Sequence, residues 1–412
     1  MRFLILTQYY PPEIGAPQTR LSSIVSEIKA LGHEVEVVTA LPNHPTGKIF
    51  PGYRGQLYFR EDMDNVVVHR VWLYTAIGAG LRRILNYISF ALSSLYGLWR
   101  SQRPDYVFVE SPPLFLSIPG FIVARRWRAK IIFNVADLWP DSVQELGLIQ
   151  SERILGLAER LEKWSYRIAN RVSAVTEGIR SNLIEKKGVP ASKVLFLPNG
   201  VNTELFKPRS PNMELMRSLG LEGKKVVLYA GTLGYAQGLD TVLKAAEILI
   251  DRQDIIFVFI GDGSEKTRLL EVTSHLRLEN VLFLEPSPQE FVANLYSLAL
   301  AGLAVLKDVP IFQGARPSKM FPIMASGVPV LYSGAGEGAL LVQKKAQAGI
   351  VTSPESSQAL AEGVMHLADN PGLARELGKN GRKYVEEYFN WQTLVADWLR
   401  ELEGEEVEEY YG

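Results

Sequence analysis

Hydrophobic positions along the chain follow two alternating patterns. Short runs rich in β-branched residues, each about one strand long, are separated by stretches in which apolar residues recur every three or four positions. The first such stretch places Leu21, Ile24, Val25 and Ile28 on one helical face, and Gly32 follows where a helix C-cap is expected. This alternation predicts βαβ units and a parallel sheet.

The alternation occurs in both halves of the chain. It predicts an α/β fold of two doubly wound, Rossmann-like domains, which we expect to face a central cleft. The predicted strands of the first half are Arg2-Thr7, Glu34-Thr39, Val66-Trp72, Asp105-Glu110, Lys130-Asn134, Val172-Val175 and Val194-Leu197. Those of the second half are Lys225-Ala230, Ile255-Ile260, Val281-Leu284, Ala301-Val305, Val328-Tyr332 and Gly349-Thr352.

Turn residues mark a boundary between the halves. Leu197 to Pro208 contains an Asn-Gly dipeptide and two prolines, which is typical of a hinge. We therefore predict domains at residues 1–203 and 204–383. The segment 384–412 begins with an aromatic-rich helical pattern, predicted from Tyr384 to Glu403 to pack back on the first domain, and ends in an acidic tail.

Composition narrows the class of protein. The chain has 412 residues, 47% hydrophobic and 22% charged, which excludes a disordered or collagen-like protein. It has no cysteine, so disulfides, thiolate metal sites and a cysteine nucleophile are excluded, and a cytoplasmic location is expected. The longest uncharged stretch, Ile84 to Trp99, is shorter than the roughly 18 residues of a membrane span.

The net charge of -1 conceals an asymmetry. Residues 1–200 hold 24 Lys and Arg against 17 Asp and Glu, and the excess is concentrated between Arg70 and Lys130, with nine basic and two acidic residues. Aromatic side chains lie among these cations, so we predict peripheral contact with an anionic membrane and no nucleic acid partner. An ordinary core helix flanked by arginines that face water or bind an anionic acceptor is the alternative.

The loops after the strands carry the candidate binding chemistry, since ligands bind at the carboxyl ends of open α/β sheets. Gly15 precedes the first helix, where backbone can approach a bound group. The stretch Gly231 to Gly238 contains three glycines before a helix and predicts a phosphate-binding loop. A third helix start, at Arg316-Pro317-Ser318-Lys319, offers a hydroxyl and two cations.

Several strings form one pattern in their order and spacing. They are Gly15, Leu31-Gly-His-Glu-Val-Glu-Val-Val-Thr39, Leu197-Pro-Asn-Gly-Val201, Tyr229-Ala-Gly-Thr-Leu-Gly234 with Gln237-Gly238, Ile260-Gly-Asp-Gly263 and Met324-Ala-Ser-Gly-Val-Pro-Val330. The pattern resembles family 4 of the retaining nucleotide-sugar glycosyltransferases, which adopt the two-domain GT-B fold, over almost the whole chain. Three more strings resemble the subgroup that builds bacterial O-antigens, capsules and related envelope polysaccharides: Ser111-Pro-Pro-Leu-Phe115, Asp137-Leu-Trp-Pro-Asp141 and Pro317-Ser-Lys319.

Two departures from the family pattern concern the donor. Thr232 and Gln237 stand where the family usually has an arginine and a lysine on the diphosphate. Gly314 and Pro322 stand where it usually has two glutamates, and Pro322 cannot bond a ribose hydroxyl through its side chain. Arg316 or Lys319 could meet the diphosphate charge, and we favour Lys319.

The resemblance implies transfer of a sugar, with retention, from a nucleoside diphosphate, expected to be UDP, to a lipid-linked or oligosaccharide acceptor. It implies no metal and no cofactor. Asp137 and Glu110 are candidates on the acceptor side, although Asp137 could equally be a helix N-cap, and His33 and His44 are interpreted as structural. The predicted donor-binding residues are Gly15, Gly231, Thr232, Gly234, Gln237, Gly261, Arg316 and Ser318, with Lys319 as a catalytic cation.

Other classes of protein were weighed against this interpretation. The string Gly334-Ala-Gly336-Glu-Gly338 imitates a dinucleotide fingerprint, but too few strands follow it to build that fold. Asp62-Met-Asp64 has the spacing of a metal-dependent transferase, yet one such triplet in a polar stretch is more typical of a surface loop. A sugar-nucleotide epimerase of the same fold and a non-catalytic binding relative remain alternatives.

Overall fold

The structure, a computed structural model, describes residues 1–13, 15–44, 46–76, 80–145 and 151–404. The described chain forms two compact units. The first unit contains residues 1–199 and the chain from Gln392 onward, and the second contains residues 200–391. The sequence placed the corresponding changes after residues 203 and 383.

The first unit is built on one eight-stranded sheet, ordered β3-β4-β2-β1-β5-β6-β7-β8. The pairs are parallel except β3 with β4, which form an antiparallel hairpin at one edge. The strands are β1 Arg2–Leu6, β2 Glu34–Ala40, β3 Tyr58–Met63, β4 Val66–Val71, β5 Tyr106–Ser111, β6 Lys130–Val135, β7 Arg171–Ala174 and β8 Val194–Phe196. The helices are α1 Ala16–Ala30, α2 Leu81–Arg100, α3 Ser117–Trp127, α4 Asp141–Glu145, α5 Glu152–Ile168 and α6 Glu177–Ser181.

The second unit is built on a fully parallel six-stranded sheet, ordered β11-β10-β9-β12-β13-β14. Its strands are β9 Lys225–Ala230, β10 Ile255–Ile260, β11 Val281–Leu284, β12 Ala299–Val305, β13 Val330–Ser333 and β14 Gly349–Thr352. Its helices are α7 Met213–Ser218, α8 Asp240–Ile248, α9 Lys266–His275, α10 Gln289–Tyr296, α11 Met320–Ala325, α12 Gly336–Leu340, α13 Ser357–Asp369 and α14 Pro371–Tyr388. The two sheets confirm the predicted pair of α/β, Rossmann-like units.

The register of the second sheet brings its loops together. Ala230 of β9 lies opposite Ile260 of β10, which in turn lies opposite Leu284 of β11. The strands therefore end at the same level, and the loops that follow them share one edge. The four central strands, β10, β9, β12 and β13, are mostly apolar and buried, as expected of parallel strands covered by helices on both faces, whereas the edge strands β11 and β14 are half-buried.

The last helix, α15 Trp391–Glu403, connects the second unit back to the first. Trp398 is fully buried, with its ring against those of Phe3 in β1 and Phe108 in β5 at centroid distances of 6.2 and 5.9 Å. The predicted return of this helix to the first unit is therefore confirmed. The predicted single helix over Tyr384–Glu403 is wrong in detail, since α14 ends at Tyr388 and α15 begins at Trp391.

Asp62 and Asp64 lie on the hairpin formed by β3 and β4, and the sequence did not predict β3. Asp62 belongs to β3, and Asp64 occupies the turn with φ of 52°. Within the described residues, no group of three or more His, Cys, Asp or Glu side chains is placed to hold a metal ion. The acidic tail beyond residue 404 lies outside the described residues.

Candidate functional site

Two glycine-containing loops run side by side at the carboxyl edge of the second sheet. The loop after β9 donates the Gly231 amide to Ile260 O at 3.0 Å and the Leu233 amide to Asp262 O at 2.8 Å. A Cβ on Gly261 would lie 2.0 Å from the carbonyl oxygen of Gly231, and a Cβ on Gly263 would lie 2.2 Å from that of Leu233. The contact is therefore backbone against backbone, which only glycine permits at these positions.

Lys319 lies against the first of these loops. It immediately precedes α11, and its Cε would lie 3.1 Å from a Cβ placed on Gly231. Its ammonium lies 4.8 Å from the ring centroid of Tyr229, a fully buried residue of β9 whose hydroxyl donates to Thr232 O at 2.6 Å. The structure thus brings together three residues that the sequence singled out, Lys319, Gly231 and Gly261.

Burial lowers the pKa of Lys319 to about 8. No carboxylate within 4 Å of its ammonium is found in the described part of the chain, so nothing there compensates the lost hydration. A partly buried cation without an anionic partner is typical of a binding site for an anion, because its charge otherwise reduces stability.

Arg316 is differently placed from Lys319, although only two residues separate them. Its guanidinium is buried, its Nε lies 2.6 Å from a carboxylate oxygen of Glu337, and it stacks over the ring of Phe389 at 5.6 Å. This ion pair gives Arg316 a structural partner. Lys319, the cation that the sequence analysis preferred for a diphosphate, has no such carboxylate partner among the described residues, and its role there stays a prediction.

Lys307 is a second cation at this edge, and the sequence analysis did not identify it. It follows β12, its amide donates to Ala236 O at 3.0 Å, and its Cγ would lie 3.0 Å from a Cβ on Gly238. Its ammonium lies 3.2 Å from the ring centroid of Tyr235. Lys307 is therefore held against the loop that lacks cations at positions 232 and 237. Its position two residues after β12 is the feature of the sequence from which it could have been identified.

A small cavity of about 170 Å³ lies beside Lys307. Gly234, Tyr235, Gly238 and Arg268 are among the residues that line it. The Arg268 guanidinium binds both carboxylate oxygens of Asp240 at 2.8 Å and also pairs with Glu265. Arg268 therefore pairs with Asp240 and Glu265, both of which also line the cavity.

The other predicted donor residues have varied surroundings. Thr232 is exposed, and the Gln237 amide oxygen would lie 2.8 Å from a Cβ on Gly234. Ser318 accepts a hydrogen bond from the Phe321 amide through its carbonyl. Pro322 lies in the first turn of α11, where its missing N–H costs nothing. Neither Gly314 nor Pro322 supplies a carboxylate, as the sequence implied.

In the first unit, Gly15 and Asp137 lie in loops after strands. Gly15 has an extended backbone, with φ of 165°, and a Cβ there would meet only the end of the Gln18 side chain. Asp137 follows β6, is exposed, and accepts a hydrogen bond from the Ser142 hydroxyl at 3.1 Å. Since α4 begins at Asp141, Asp137 is not its N-cap, and desolvation raises the pKa of its carboxyl.

Glu110 does not have the position expected of a catalytic carboxylate. It is 3% exposed, both of its oxygens lie within 3.3 Å of the Arg20 guanidinium, and Asn134 donates to it at 2.8 Å. Arg20 also donates to Asn134 at 3.1 Å, so the three side chains form a closed network between α1, β5 and β6. Both carboxylate oxygens are therefore buried and hydrogen-bonded within the first unit, and a role of Glu110 on the acceptor side stays a prediction.

A second polar cluster lies at the carboxyl end of β1, and the sequence analysis missed it. Arg83 donates to the Tyr9 hydroxyl, to the Tyr87 hydroxyl at 3.0 Å and to Ala76 O at 3.1 Å. The Tyr9 ring packs edge-on against His44 at 5.5 Å. Glu13 is buried and accepts the amides of Asn43 and His44, each at 2.7 Å. These groups are far apart in sequence, so no local pattern announced them.

The fold and this arrangement define the class of protein. Two parallel α/β units, each with polar loops at the carboxyl edge of its sheet, form the architecture of GT-B glycosyltransferases. Residues 15–200 match the family described as glycosyl transferase 4-like domain, and residues 212–384 match the family described as glycosyl transferases group 1. The chain therefore belongs to the glycosyltransferases.

Relatives and solved structures agree with this assignment. The chain is 28% identical over 416 residues to the putative colanic acid biosynthesis glycosyl transferase WcaI of Escherichia coli, covering 98% of this chain and 100% of the relative. Its fold is similar to that of sucrose-phosphate synthase from Thermosynechococcus elongatus, with a TM-score of 0.76, 18% identity and 98% of each chain covered. It is also similar to Anabaena HepE in complex with UDP-glucose, with a TM-score of 0.73, 17% identity and 98% and 99% coverage.

Proposed function

We propose that this glycosyltransferase moves a hexosyl or N-acetylhexosaminyl group from a UDP-sugar to an acceptor hydroxyl with retention of configuration and without a metal ion. The observation that carries the proposal is the Lys319 ammonium beside the paired glycine loops at Gly231 and Gly261. A partly buried lysine can pair with the negative charge of a diphosphate, and backbone without side chains lets amide groups come within hydrogen-bond distance of its oxygens. The UDP-glucose complex of HepE supports the nature of the donor.

In the proposed reaction, the bond between the anomeric carbon and the phosphate oxygen breaks, and the acceptor oxygen forms the new bond on the same face. The acceptor proton passes to the leaving phosphate, and the nucleoside diphosphate departs. Negative charge grows on that phosphate, so Lys319, Lys307 and the loop amides stabilise the transition state more than the ground state. Lys307 would thus supply the positive charge that the family usually places at position 237, where this chain has Gln237.

The acceptor side is proposed to lie in the first unit. Asp137 is exposed after β6, and Tyr9, Arg83 and Glu13 surround the end of β1. Asp137 can accept a hydrogen bond from an acceptor hydroxyl or face the positive charge that develops on the sugar. Arg83 and Tyr9 hold the neighbouring loop in place through their hydrogen bond.

The biological setting proposed is bacterial cell-envelope or exopolysaccharide synthesis at the inner face of the cell membrane, with a lipid-linked or oligosaccharide acceptor. The name of the WcaI relative supports the polysaccharide setting. No helix among the described residues is long and apolar enough to cross a bilayer. A lipid-linked acceptor would therefore be met by peripheral contact.

The proposed function is tested by release of free UDP from a panel of UDP-sugars, with and without acceptors. Release that requires an acceptor supports transfer. Conversion of the donor sugar without an acceptor would instead show an epimerase. Donor binding, seen as a thermal shift, without turnover on any acceptor would show a non-catalytic binding protein, consistent with Gly314 and Pro322 in place of glutamates.

The donor site is tested separately by UDP titration calorimetry of Lys319→Ala and Lys307→Gln. Removing a charged partner of a phosphate costs on the order of 1.5 to 3 kcal/mol. Each variant should therefore bind UDP at least tenfold more weakly than the wild type. Lys344→Ala is the matched control, because Lys344 is an exposed lysine of the same unit and does not line the cavity beside Lys307. An unchanged dissociation constant for Lys319→Ala would remove Lys319 from the site.

A further inference from the structure

The helix α2 has one buried face and one apolar exposed face. Asn86, Phe90, Ser94 and Leu98 are buried, and Asn86 donates to Tyr74 O at 2.6 Å. The outward face carries large apolar side chains three or four residues apart, each 38 to 66% exposed: Leu85, Ile88, Leu92, Tyr96 and Trp99. The stretch is a core helix on one side only, and its other side presents a continuous apolar stripe.

The neighbouring helix extends this apolar surface. α3 packs against α2, and its Ile118 and Ile122, one turn apart, are each 42% exposed. Contiguous apolar surface on two adjacent helices is uncommon on a soluble monomer and marks an interaction site. We call the exposed side chains of these two helices, from Leu85 to Ile122, the α2–α3 face.

A basic pocket lies at the C-terminal ends of both helices. α2 ends at Arg100, three residues before Arg103, and α3 ends at Trp127, next to Arg128. The pocket is a concave surface of about 680 Å³. Its lining includes Arg2, Arg103, Asp105, Tyr106, Arg128 and Lys130.

The charges in this basic pocket are only partly balanced. Arg2 pairs with Glu34, and the Asp105 carboxylate accepts the Arg2 amide at 2.7 Å. Arg103, Arg128 and Lys130 are exposed and have no carboxylate within ion-pair distance among the described residues, and Lys130 lies over the Tyr106 ring at 5.6 Å. Three cations thus remain available beside aromatic surface.

We propose that the α2–α3 face and the basic pocket form one docking surface for an anionic phospholipid bilayer, with the pocket binding a headgroup phosphate. The apolar stripe enters the interface between headgroups and acyl chains, with Tyr96 and Trp99 at the level that aromatic residues prefer. Arg103, Arg128 and Lys130 then meet the phosphates. A water-soluble anion would explain the cations but not the exposed apolar stripe.

This proposal rests on the proposed use of a membrane-borne acceptor and refines which cations contact the membrane. The sequence placed the whole region from Arg70 to Lys130 at the membrane. In the structure, two of these cations cannot contact a membrane. Arg70 is buried and paired with Glu61, and the guanidinium of Arg83 binds Tyr9 and Tyr87. Seven exposed cations of this region remain, of which Arg103, Arg128 and Lys130 line the pocket; the other four are Arg82, Arg100, Arg125 and Arg126.

The test is co-sedimentation of the full chain with phosphatidylcholine vesicles containing 0, 20 or 40% phosphatidylglycerol. One variant combines Arg103→Gln with Lys130→Gln. A second combines Leu92→Ser with Trp99→Ser, whose side chains are 66 and 60% exposed and support no core. The charge-matched control combines Lys344→Gln with Lys379→Gln, both exposed in the second unit. Circular dichroism verifies the fold of each.

Wild-type binding should rise with phosphatidylglycerol content. With about 1 kcal/mol for each basic residue near an anionic surface, the pocket variant should bind roughly 30-fold more weakly at 40% phosphatidylglycerol. The stripe variant should bind more weakly at every composition, and the control should match the wild type. Binding independent of anionic lipid, or retained by the pocket variant, would overturn the proposal. So would tight binding of inorganic phosphate to a protein that does not sediment with vesicles.

Turnover with a water-soluble acceptor separates this proposal from the proposed function. The pocket and stripe variants should keep wild-type rates there, because neither contains a residue of the donor site. A protein that binds anionic vesicles but transfers no sugar would refute the proposed function alone. If the protein transfers sugar but does not bind the vesicles, only the proposed docking surface is refuted.

Discussion

At the scale of single residues, Lys319 holds a charge where its surroundings disfavour one. Burial lowers its pKa to about 8, against 10.5 in the unfolded chain. Between pH 8 and pH 10.5 the unfolded chain binds more protons at Lys319 than the folded chain does, so the free energy of unfolding rises with pH in this range. Below pH 8 the lysine is charged in the folded chain, and burial of that charge reduces stability. In the proposed donor complex, the diphosphate would remove that penalty by supplying an anionic partner.

The first prediction is a pH dependence of UDP binding that depends on Lys319. The dissociation constant of the wild type should increase as pH rises from 7 to 9.5, since the free lysine loses its proton near pH 8. Lys319→Gln should bind weakly at all of these pH values, without this increase. Titration calorimetry across the range is the measurement. Parallel pH profiles of the two proteins would contradict the assignment.

The second prediction concerns Glu13. Burial raises its pKa to about 7, and the amides of Asn43 and His44 oppose that rise. The folded chain therefore holds this proton more tightly than the unfolded chain, and stability falls as pH rises from about 4.5 to 7. Glu13→Gln keeps an acceptor oxygen for both amides but cannot ionise. The variant should therefore gain on the order of 3 kcal/mol relative to the wild type between pH 4 and pH 8.

Urea denaturation of both proteins at pH 4, 6 and 8 measures this difference. Other titrating groups contribute equally to the two proteins and cancel in the comparison. A constant difference in the free energy of unfolding across the three pH values would show that Glu13 ionises in the folded chain near its ordinary pKa.

At the scale of elements, the loops proposed to bind the donor are held together by glycines that follow β9 and β10. Gly231 and Gly261 have φ of 149° and 145°, and their backbones touch. A side chain on Gly261 would meet the carbonyl of Gly231, which also lies next to Lys319. The geometry of the cation site therefore depends on a contact between two loops thirty residues apart.

The third prediction is that Gly261→Ala abolishes measurable UDP binding and lowers the free energy of unfolding by about 2 kcal/mol or more. Its Cβ would lie 2.0 Å from the Gly231 oxygen, so the loop after β9 must move. Gly223→Ala is the control. Gly223 also has a positive φ, 70°, but its added Cβ would meet nothing within 4 Å. Equal losses of UDP binding in both variants would show that the loop contact is not the cause.

The elements also show where sequence patterns were sufficient. The predicted strands Lys225-Ala230, Ile255-Ile260 and Val281-Leu284 coincide with β9, β10 and β11. Buried parallel strands are continuous apolar runs, so their limits are visible in the sequence. The edge strand β3, Tyr58–Met63, was missed because its polar, partly exposed residues resemble a loop.

At the scale of the whole molecule, α15 completes the core of the first unit although it is almost two hundred residues away from the rest of it. The backbone between α14 and α15 is anchored first, as the Val201 amide donates to Phe389 O at 2.8 Å and Asn390 donates to the Thr203 hydroxyl at 3.0 Å. These contacts end one helix and begin the next. The break in the predicted single helix therefore has a tertiary cause.

The fourth prediction is that Trp398→Ala destabilises the first unit by about 3 to 5 kcal/mol, because a fully buried tryptophan is replaced by a cavity. Thermal and urea unfolding, followed by circular dichroism, are the measurements. Trp99→Ala, at a side chain that is 60% exposed, should change stability by less than about 1 kcal/mol. Similar losses in the two variants would mean that α15 does not support the core of the first unit.

The sequence alone determined the class of fold and the paired α/β halves, and it singled out the loops of the proposed donor site. Hydrophobic periodicity and glycine spacing are local properties, and they were enough for Gly231, Gly261 and Lys319 to be chosen. The tertiary structure alone decided which charged groups are available. Glu110 is neutralised by Arg20, Arg316 by Glu337 and Arg83 is bound to Tyr9, whereas Lys319 and Lys307 face the glycine loops. Ion pairing depends on distances between residues up to ninety positions apart, and no local pattern encodes those distances.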